Sequence, residues 1–256
     1  FYPGLLLGSL FAIGWGMAAG INLTVVVALT IAGASLPILL MQRWMPYETS
    51  WKGPPKIFGI DLLHMLSTGT AGEVWRALTF GVAFALAALL STWWGANLWP
   101  QQWPIWSQIA LALVIGDLGA YIVHRGCHEF PLLWRIHAMH HSSEQLYIFA
   151  SGRNHPLNVA ATLCWQALPL VVLGASPLIL AYVSAFTAIN GMLQHANIAF
   201  IHGPLNYVFA TADYHRWHHS PVMVESNTNY GSNLILWDII LGTRYFPKDR
   251  RITTVG

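Results

Sequence analysis

The sequence predicts an all-α integral membrane protein with about six transmembrane helices and a cytoplasmic, histidine-rich helical cap. Three observations support this fold class. The 256 residues are 55% hydrophobic and only 9% charged, whereas soluble globular domains carry about 25% charged residues. Long apolar stretches alternate with short turns, and each stretch approaches the roughly 20 residues that a helix needs to cross a bilayer. The histidines gather in the polar segments between these stretches.

The N-terminal region 1–42 is predicted to form a pair of spans. Residues 1–41 contain no charged side chain, and this length allows two crossings with a turn near residues 20–22. Such an apolar pair could dock a membrane protein partner. From Gln42 to Arg76 the composition becomes polar, and we expect an interfacial loop with a short amphipathic helix around 60–66.

Two hairpins should follow. The first joins a third span at 77–98 to a fourth span from Trp106 to His124, through a proline-containing turn. The second joins 157–173 to 178–200 through a turn at 174–177. The chain is therefore predicted to be one membrane domain over 1–256.

The basic residues predict the orientation of the bundle. All twelve Lys and Arg residues fall in segments predicted to lie on one side: 43, 52, 56, 76, 125, 135, 153, 216, 244, 248, 250 and 251. The turns near 20–22, 99–105 and 174–177 contain none, so the positive-inside rule makes the histidine side cytoplasmic. A net charge of +2 without a long basic run excludes a nucleic-acid partner.

Nine histidines occur at spacings that suit metal binding. His124 and His128 are spaced i, i+4, and two further boxes have the pattern HxxHH, in which side chains share one helix face. His195 lies 18 residues after Pro177, about 27 Å along a helix, and so returns to the depth of the boxes. Nine imidazoles suit two ions of zinc, iron, copper or nickel. The nine are His124, His128, His137, His140, His141, His195, His215, His218 and His219.

Polar residues near the boxes are candidates for a supporting role. Asp117 and Tyr121 lie within roughly 40° of the helix face that carries His124. A buried carboxylate commonly orients a ligating imidazole, although Asp117 could instead hydrogen-bond another span. His155 starts a span at the right depth and is either a supporting residue of the site or a plain interfacial residue. His202 is a weaker ligand candidate than these, and His64 is expected to be structural.

The ordered motifs resemble the fatty acid hydroxylase / sterol desaturase superfamily of membrane di-iron proteins. The boxes are HRGCH, HAMHH, QHANI and HRWHH, followed by NYG, LWD and GTRY, and the match covers roughly 105–247. The resemblance implies two iron ions bound by the nine histidines and O₂-dependent hydroxylation of a lipid C–H bond. Asp117 and Tyr121 match polar positions before the family's first box.

The resemblance leaves three alternatives open. Hydroxylases and desaturases share these ligands, zinc is an alternative occupant, and a metal-retaining structural subunit of a larger membrane complex would also keep the boxes. Some members have a histidine where this chain has Ala199, so His202 or water could complete the ligand set. Nothing resembles a fused haem domain, so electrons should come from a separate reductase, ferredoxin or cytochrome-type donor.

Overall fold

The computed structural model describes residues 1–51, 55–94 and 98–256, which are helical apart from loops and one isolated β-bridge between Phe209 and Leu234. The α-helices in these ranges are α1 Tyr2–Ala18, α2 Leu23–Trp44, α3 Pro55–Trp94, α4 Ile105–Glu129, α5 Pro131–His141, α6 Pro156–Leu173, α7 Pro177–His195, α8 Ala212–His218, α9 Met223–Ser226 and α10 Leu236–Ile240. Two short 3₁₀ helices cover Ile148–Gly152 and Gly203–Tyr207.

Five of the described helices are long and apolar enough to cross a membrane: α2, the 57–89 part of α3, α4, α6 and α7. Helix α1 is apolar but has only 17 residues, about 25 Å at 1.5 Å per residue. The predicted class, a multi-pass all-α membrane protein, is confirmed. Six spans were predicted, whereas the described residues contain five candidate spans and one shorter apolar helix, α1.

Local sequence chemistry sets the two predicted turns at 20–22 and 174–177. Asn22 caps α2, its side-chain oxygen accepting the N–H of Thr24 at 3.0 Å. Gly174 ends α6 with a φ of +93°, a conformation that glycine adopts without steric cost. Ser176 then caps α7, and Pro177 fits its first turn, where the missing N–H costs nothing.

The predicted loop with a short helix at 60–66 and a separate span at 77–98 is wrong. Helix α3 runs unbroken for 40 residues, about 60 Å, because no proline interrupts the sequence after Pro55. Its polar residues are satisfied by tertiary contacts; Thr68, for example, donates to the carbonyl oxygen of Gly152 at 2.9 Å. The predicted end of the span includes residues 95–97, which lie outside the described residues.

Arg76 departs from the predicted charge distribution. It lies within the candidate span of α3 and pairs with Glu73 one turn earlier. It also lines a cavity with Leu23 and Pro177, the first residues of α2 and α7. Leu23 and Pro177 directly follow the turns at 20–22 and 174–177, which were predicted to lie on the side of the membrane without basic residues. Arg76 therefore lies near that side and not in a polar loop of the cap.

Helix α7 forms the centre of the bundle. It packs against α1, α2 and α4, and its buried face includes Ile179, Phe186 and Ile189. The N-terminal pair joins this core through Tyr2, whose hydroxyl donates to the Asn190 side chain at 2.5 Å. The predicted last span was too long, because α7 ends at His195 and residues 196–200 are not helical.

Candidate metal centre

Helices α4 and α5 bring the first two histidine boxes face to face. Helix α4 continues through His128, and the chain then reverses at residues 130–131, where Pro131 occupies the first turn of α5. The ring centroids of His124 and His137 are 4.7 Å apart, and those of His128 and His141 are 4.8 Å apart. The two boxes therefore form one wall of a site.

The other wall comes from the end of α7 and from α8. The Nε2 atoms of His195 and His215 lie 3.0 Å apart. Helix α8 has only seven residues, too few to be stable alone, and Arg216 anchors it. The buried guanidinium donates to the carbonyl oxygen of Ile198 at 2.8 Å and stacks over the Tyr47 ring; burial lowers the pKa of Arg216 to about 10.

The structure gathers all nine predicted histidines into two adjacent groups. The five-histidine group contains His124, His128, His137, His141 and His218, and the four-histidine group contains His140, His195, His215 and His219. Within each group the candidate ligand nitrogens lie within 4.8 Å of one another. The other three histidines, His64, His155 and His202, belong to neither group.

Hydrogen bonds to Nδ1 orient five of these rings. The acceptors are mostly backbone carbonyls, which accept a proton from Nδ1 and so leave the lone pair on Nε2. The contacts are His124 to Tyr230 O at 2.9 Å, His128 to Asn227 Oδ1 at 3.1 Å, His140 to Arg153 O at 3.2 Å, His195 to Gly191 O at 2.8 Å and His218 to Thr228 O at 2.8 Å.

The nitrogens that face inward fit metal ions. Buried Nε2 atoms of His124, His128, His141 and His218 have no hydrogen-bond partner in the described structure, an arrangement that normally costs free energy. In the four-histidine group, Nε2 atoms crowd together at 3.0–3.2 Å. The Nδ1 protons of His140 and His195 go to backbone carbonyls, so their Nε2 atoms, 3.2 Å apart, both carry lone pairs, which repel unless a cation lies between them. Imidazole nitrogen is a common ligand for divalent transition metals.

Burial also keeps the cap histidines in the form that binds metal. For the six that lie outside the candidate spans, burial first and neighbouring imidazoles second lower the pKa well below its ordinary value. These residues are His137, His140, His141, His215, His218 and His219. They are therefore neutral at pH 7, with a lone pair available for a ligand bond.

A small cavity adjoins both groups. Its volume is about 150 Å³, and five of its lining residues are histidines: His124, His137, His140, His195 and His215. Several polar side chains from otherwise apolar helices also line it, among them Asn158, Thr187 and Gln194. A small polar part of a ligand could thus reach the inward-facing nitrogens.

These features coincide with a known sequence family. Residues 109–243 match the family described as Fatty acid hydroxylase. The chain belongs to the fatty acid hydroxylase family. This family comprises hydroxylase and monooxygenase oxidoreductases, and the matched region contains every histidine of both groups.

Several named proteins are similar to this member of the fatty acid hydroxylase family. Ornithine lipid hydroxylase OlsE of Rhizobium tropici is 38% identical over 86% of this chain and 67% of its own length. Human alkylglycerol monooxygenase is 27% identical over 81% of this chain and 46% of its own length. Methylsterol monooxygenase erg25B of Aspergillus fumigatus is 28% identical over 58% of this chain and 51% of its own length. The chain thus spans about half the length of the latter two, and no solved structure matches it.

The three residues predicted to support the site make other contacts. Asp117 is fully buried, and its carboxylate accepts the backbone N–H groups of Asn233 at 2.7 Å and Leu234 at 3.1 Å rather than the expected imidazole N–H. The Tyr121 hydroxyl lies 2.9 Å from Thr243 Oγ1. His155 caps α6, with Nδ1 accepting the N–H of Leu157 at 3.1 Å. Asp117 and Tyr121 thus connect α4 to the C-terminal segment of the cap.

Sequence reasoning missed the groups that orient the imidazoles. The carbonyl oxygen of Tyr230 accepts the Nδ1 proton of His124. The Asp238 carboxylate fixes the backbone at this point by accepting hydrogen bonds from the N–H groups of Tyr230 and Gly231, each at 2.8 Å. The NYG and LWD motifs were the available signal, since they contain these residues. The buried His202 belongs to neither group, and its Nδ1 lies 3.0 Å from Asp213 Oδ2.

Proposed function

We propose that this chain is an O₂-dependent di-iron hydroxylase that acts on a C–H bond of a membrane lipid. The observation that supports it best is the pair of adjacent histidine groups with inward-facing nitrogens. We assign the ligands as all nine residues of these groups. Two bound iron ions would supply the redox and O₂ chemistry that a strong C–H bond requires, which zinc cannot supply because it has no redox chemistry.

The residues of the chain then have separate tasks. Backbone carbonyls hold the rings by Nδ1, so the Nε2 atoms point inward before any ion binds. Three of the four residues in the four-histidine group line the cavity, compared with two of five in the other group. The four-histidine group also has fewer ligands, which favours it as the side that faces O₂ and substrate.

Two relatives are an ornithine lipid hydroxylase and an alkylglycerol monooxygenase, and both of these lipids have polar groups. The few polar side chains in the cavity lining support a lipid whose reacting carbon lies near such a group. The Thr187 hydroxyl accepts from Gln166 and Asn233, so its own proton is available to a substrate oxygen. We therefore propose ornithine lipid as the first candidate and alkylglycerol as the second.

Basic residues near the histidine groups, including Arg125 at the end of α4 and Arg135 and Arg153 after it, support a cytoplasmic location of the site by the positive-inside rule. A separate reductase, ferredoxin or cytochrome-type protein would then deliver electrons from that side. A desaturase with the same site is the alternative that the ligands allow equally.

The test combines metal analysis with product analysis. The protein is purified in detergent without metal-affinity resin, and its metals are measured by plasma mass spectrometry; two iron ions per chain are expected. Candidate lipids are then incubated with the protein, a reductase–ferredoxin pair and isotopically labelled O₂. Labelled oxygen in the product supports the hydroxylase, and a new double bond without label supports the desaturase. Two ions without any product would overturn the enzyme proposal in favour of a structural subunit.

A further inference from the structure

A buried ion pair joins α3 to the cap outside the histidine groups. Asp61 on α3 is fully buried, and the Arg153 side chain is 11% exposed. The guanidinium contacts one carboxylate oxygen through Nε at 2.7 Å and Nη2 at 2.5 Å. The other oxygen accepts the hydroxyl proton of Tyr147. Both oxygens of Asp61 are thus used by the segment that follows α5.

Arg153 also contacts the second histidine box in two ways. Its Nη1 donates to the carbonyl oxygen of Ser142 at 3.1 Å, and Ser142 ends α5 directly after His141. Its own backbone carbonyl accepts the Nδ1 proton of His140 at 3.2 Å. One residue therefore holds both the end of the helix that carries His140 and the ring of His140 itself.

Helix α3 fixes the backbone around Arg153 as well as its side chain. The Thr68 hydroxyl contacts the carbonyl oxygens of Gly152 and Asn154, at 2.9 and 3.3 Å. Gly152 packs so closely that an added Cβ would lie 2.9 Å from the Cα of Met65. The Arg153 carbonyl oxygen accepts the Nδ1 proton of His140. Contacts from α3 to Gly152 and Asn154 fix the backbone on either side of Arg153.

We propose that Asp61 and Arg153 are positioning residues for His140 and thereby for metal binding by the four-histidine group. An apolar pair could join the two segments equally well, because burying two charges costs about as much as their attraction returns. The directional contacts of the guanidinium fork are what an apolar pair lacks. This inference rests on the proposed function only in assuming that the four-histidine group binds an ion.

The test compares the two metal sites in Asp61→Asn protein. Removing the charge frees the Arg153 guanidinium, so its contact with the Ser142 carbonyl oxygen at the end of α5 weakens. His140 on that helix is then held less firmly against its acceptor, and one ion is retained less tightly. Changes in groups that orient a ligand typically weaken metal binding about 10–100-fold, and we expect a loss of this size at one site only. Zn²⁺ titration of the chelated protein against a competing chelator measures both affinities. The matched control is Glu129→Gln, which breaks the exposed Arg125–Glu129 pair beside His128 and should change neither site.

A double-variant cycle separates positioning from general stability. If Asp61 acts through His140, adding Asp61→Asn to His140→Ala protein should cause no further loss of Zn²⁺ affinity. Additive losses, equal losses at both sites, or wild-type affinities in Asp61→Asn would overturn the inference. If Asp61→Asn fails to accumulate as folded protein, Arg153→Lys, which keeps the charge but loses the fork, provides the same cycle. Wild-type protein without any Zn²⁺ binding would instead contradict the proposed function.

Discussion

At the scale of single residues, His218 provides a direct test of the ligand assignment. It is fully buried, its Nδ1 is held by Thr228 O at 2.8 Å, and its Nε2 has no partner in the described structure. His218→Ala should lower the metal content from two ions toward one per chain and abolish product formation. His64→Ala, on α3 and in neither group, is the matched control and should retain both. Metal analysis of the two purified variants decides the matter; full metal and turnover in His218→Ala would contradict the assignment.

Asp117 tests a structural contribution to the site. An asparagine can accept at only one of its two side-chain atoms, so one buried N–H of Asn233 or Leu234 would lose its partner, at a cost of about 1–3 kcal/mol. The neighbouring Ser232 lines the cavity, so movement of this segment should reduce turnover. We expect Asp117→Asn to retain most metal, to unfold at a lower temperature and to turn over more slowly. Unchanged turnover together with an unchanged unfolding temperature would show that this segment does not depend on Asp117.

These residues also show how far spacing alone could predict the site. The i, i+3 and i, i+4 offsets predicted that eight of the nine histidines share helix faces, and the length of the helix after Pro177 predicted the depth of His195; the structure brings all nine together in two groups. Among the partners of Nδ1, the Tyr230 carbonyl lies in the NYG motif and so had a signal in the sequence. The others were not predictable, since most are backbone carbonyls, which every residue has. The partner of Asp117 was missed for the same reason: two backbone N–H groups more than 110 residues away along the chain leave no mark in the sequence.

At the scale of helices, Gly119 tests the crossing of α4 and α6. A Cβ at this position would lie 1.9 Å from the carbonyl oxygen of Trp165, and backbone atoms cannot move aside as a flexible side chain can. Gly119→Ala should therefore force the two helices apart, and overpacking of this kind costs about 1–3 kcal/mol or more. Thermal unfolding in detergent measures the effect.

Gly126 on the same helix is the matched control. A Cβ there would make ordinary contacts, at 3.7 Å with Leu133 and 3.8 Å with Phe130. Alanine in a helix interior is favoured over glycine by about 0.5–1 kcal/mol, so Gly126→Ala should unfold at an equal or higher temperature. Equal behaviour of the two variants would show that α4 and α6 tolerate a wider separation.

Helix α3 shows where element boundaries could not be read from composition. The polar residues between 42 and 76 predicted a loop, because such residues are costly inside a bilayer. In the folded chain the buried Asp61 is neutralised by Arg153, and Thr68 reaches the backbone of the cap. The helix therefore runs without a break through residues 55–76, where the polar composition predicted a loop.

At the scale of the whole molecule, the metal ions should contribute to the stability of the fold. The nine imidazoles come from α4, α5, α7, α8 and the residue after it, so ions in the two groups would cross-link four helices around buried nitrogens that otherwise lack partners. A ligand that binds only the folded state raises the free energy of unfolding by about 2.7 kcal/mol when its free concentration is one hundred times its Kd.

Chelation of the wild-type protein should lower its unfolding temperature by several degrees. Added Fe²⁺ or Zn²⁺ should restore it, because the contribution is structural and does not depend on redox chemistry. His218→Ala should show a smaller response to chelation than wild type, since it has one group fewer to empty. An unfolding temperature that is the same with and without chelator would mean that the helices pack equally well around neutral, unligated imidazoles.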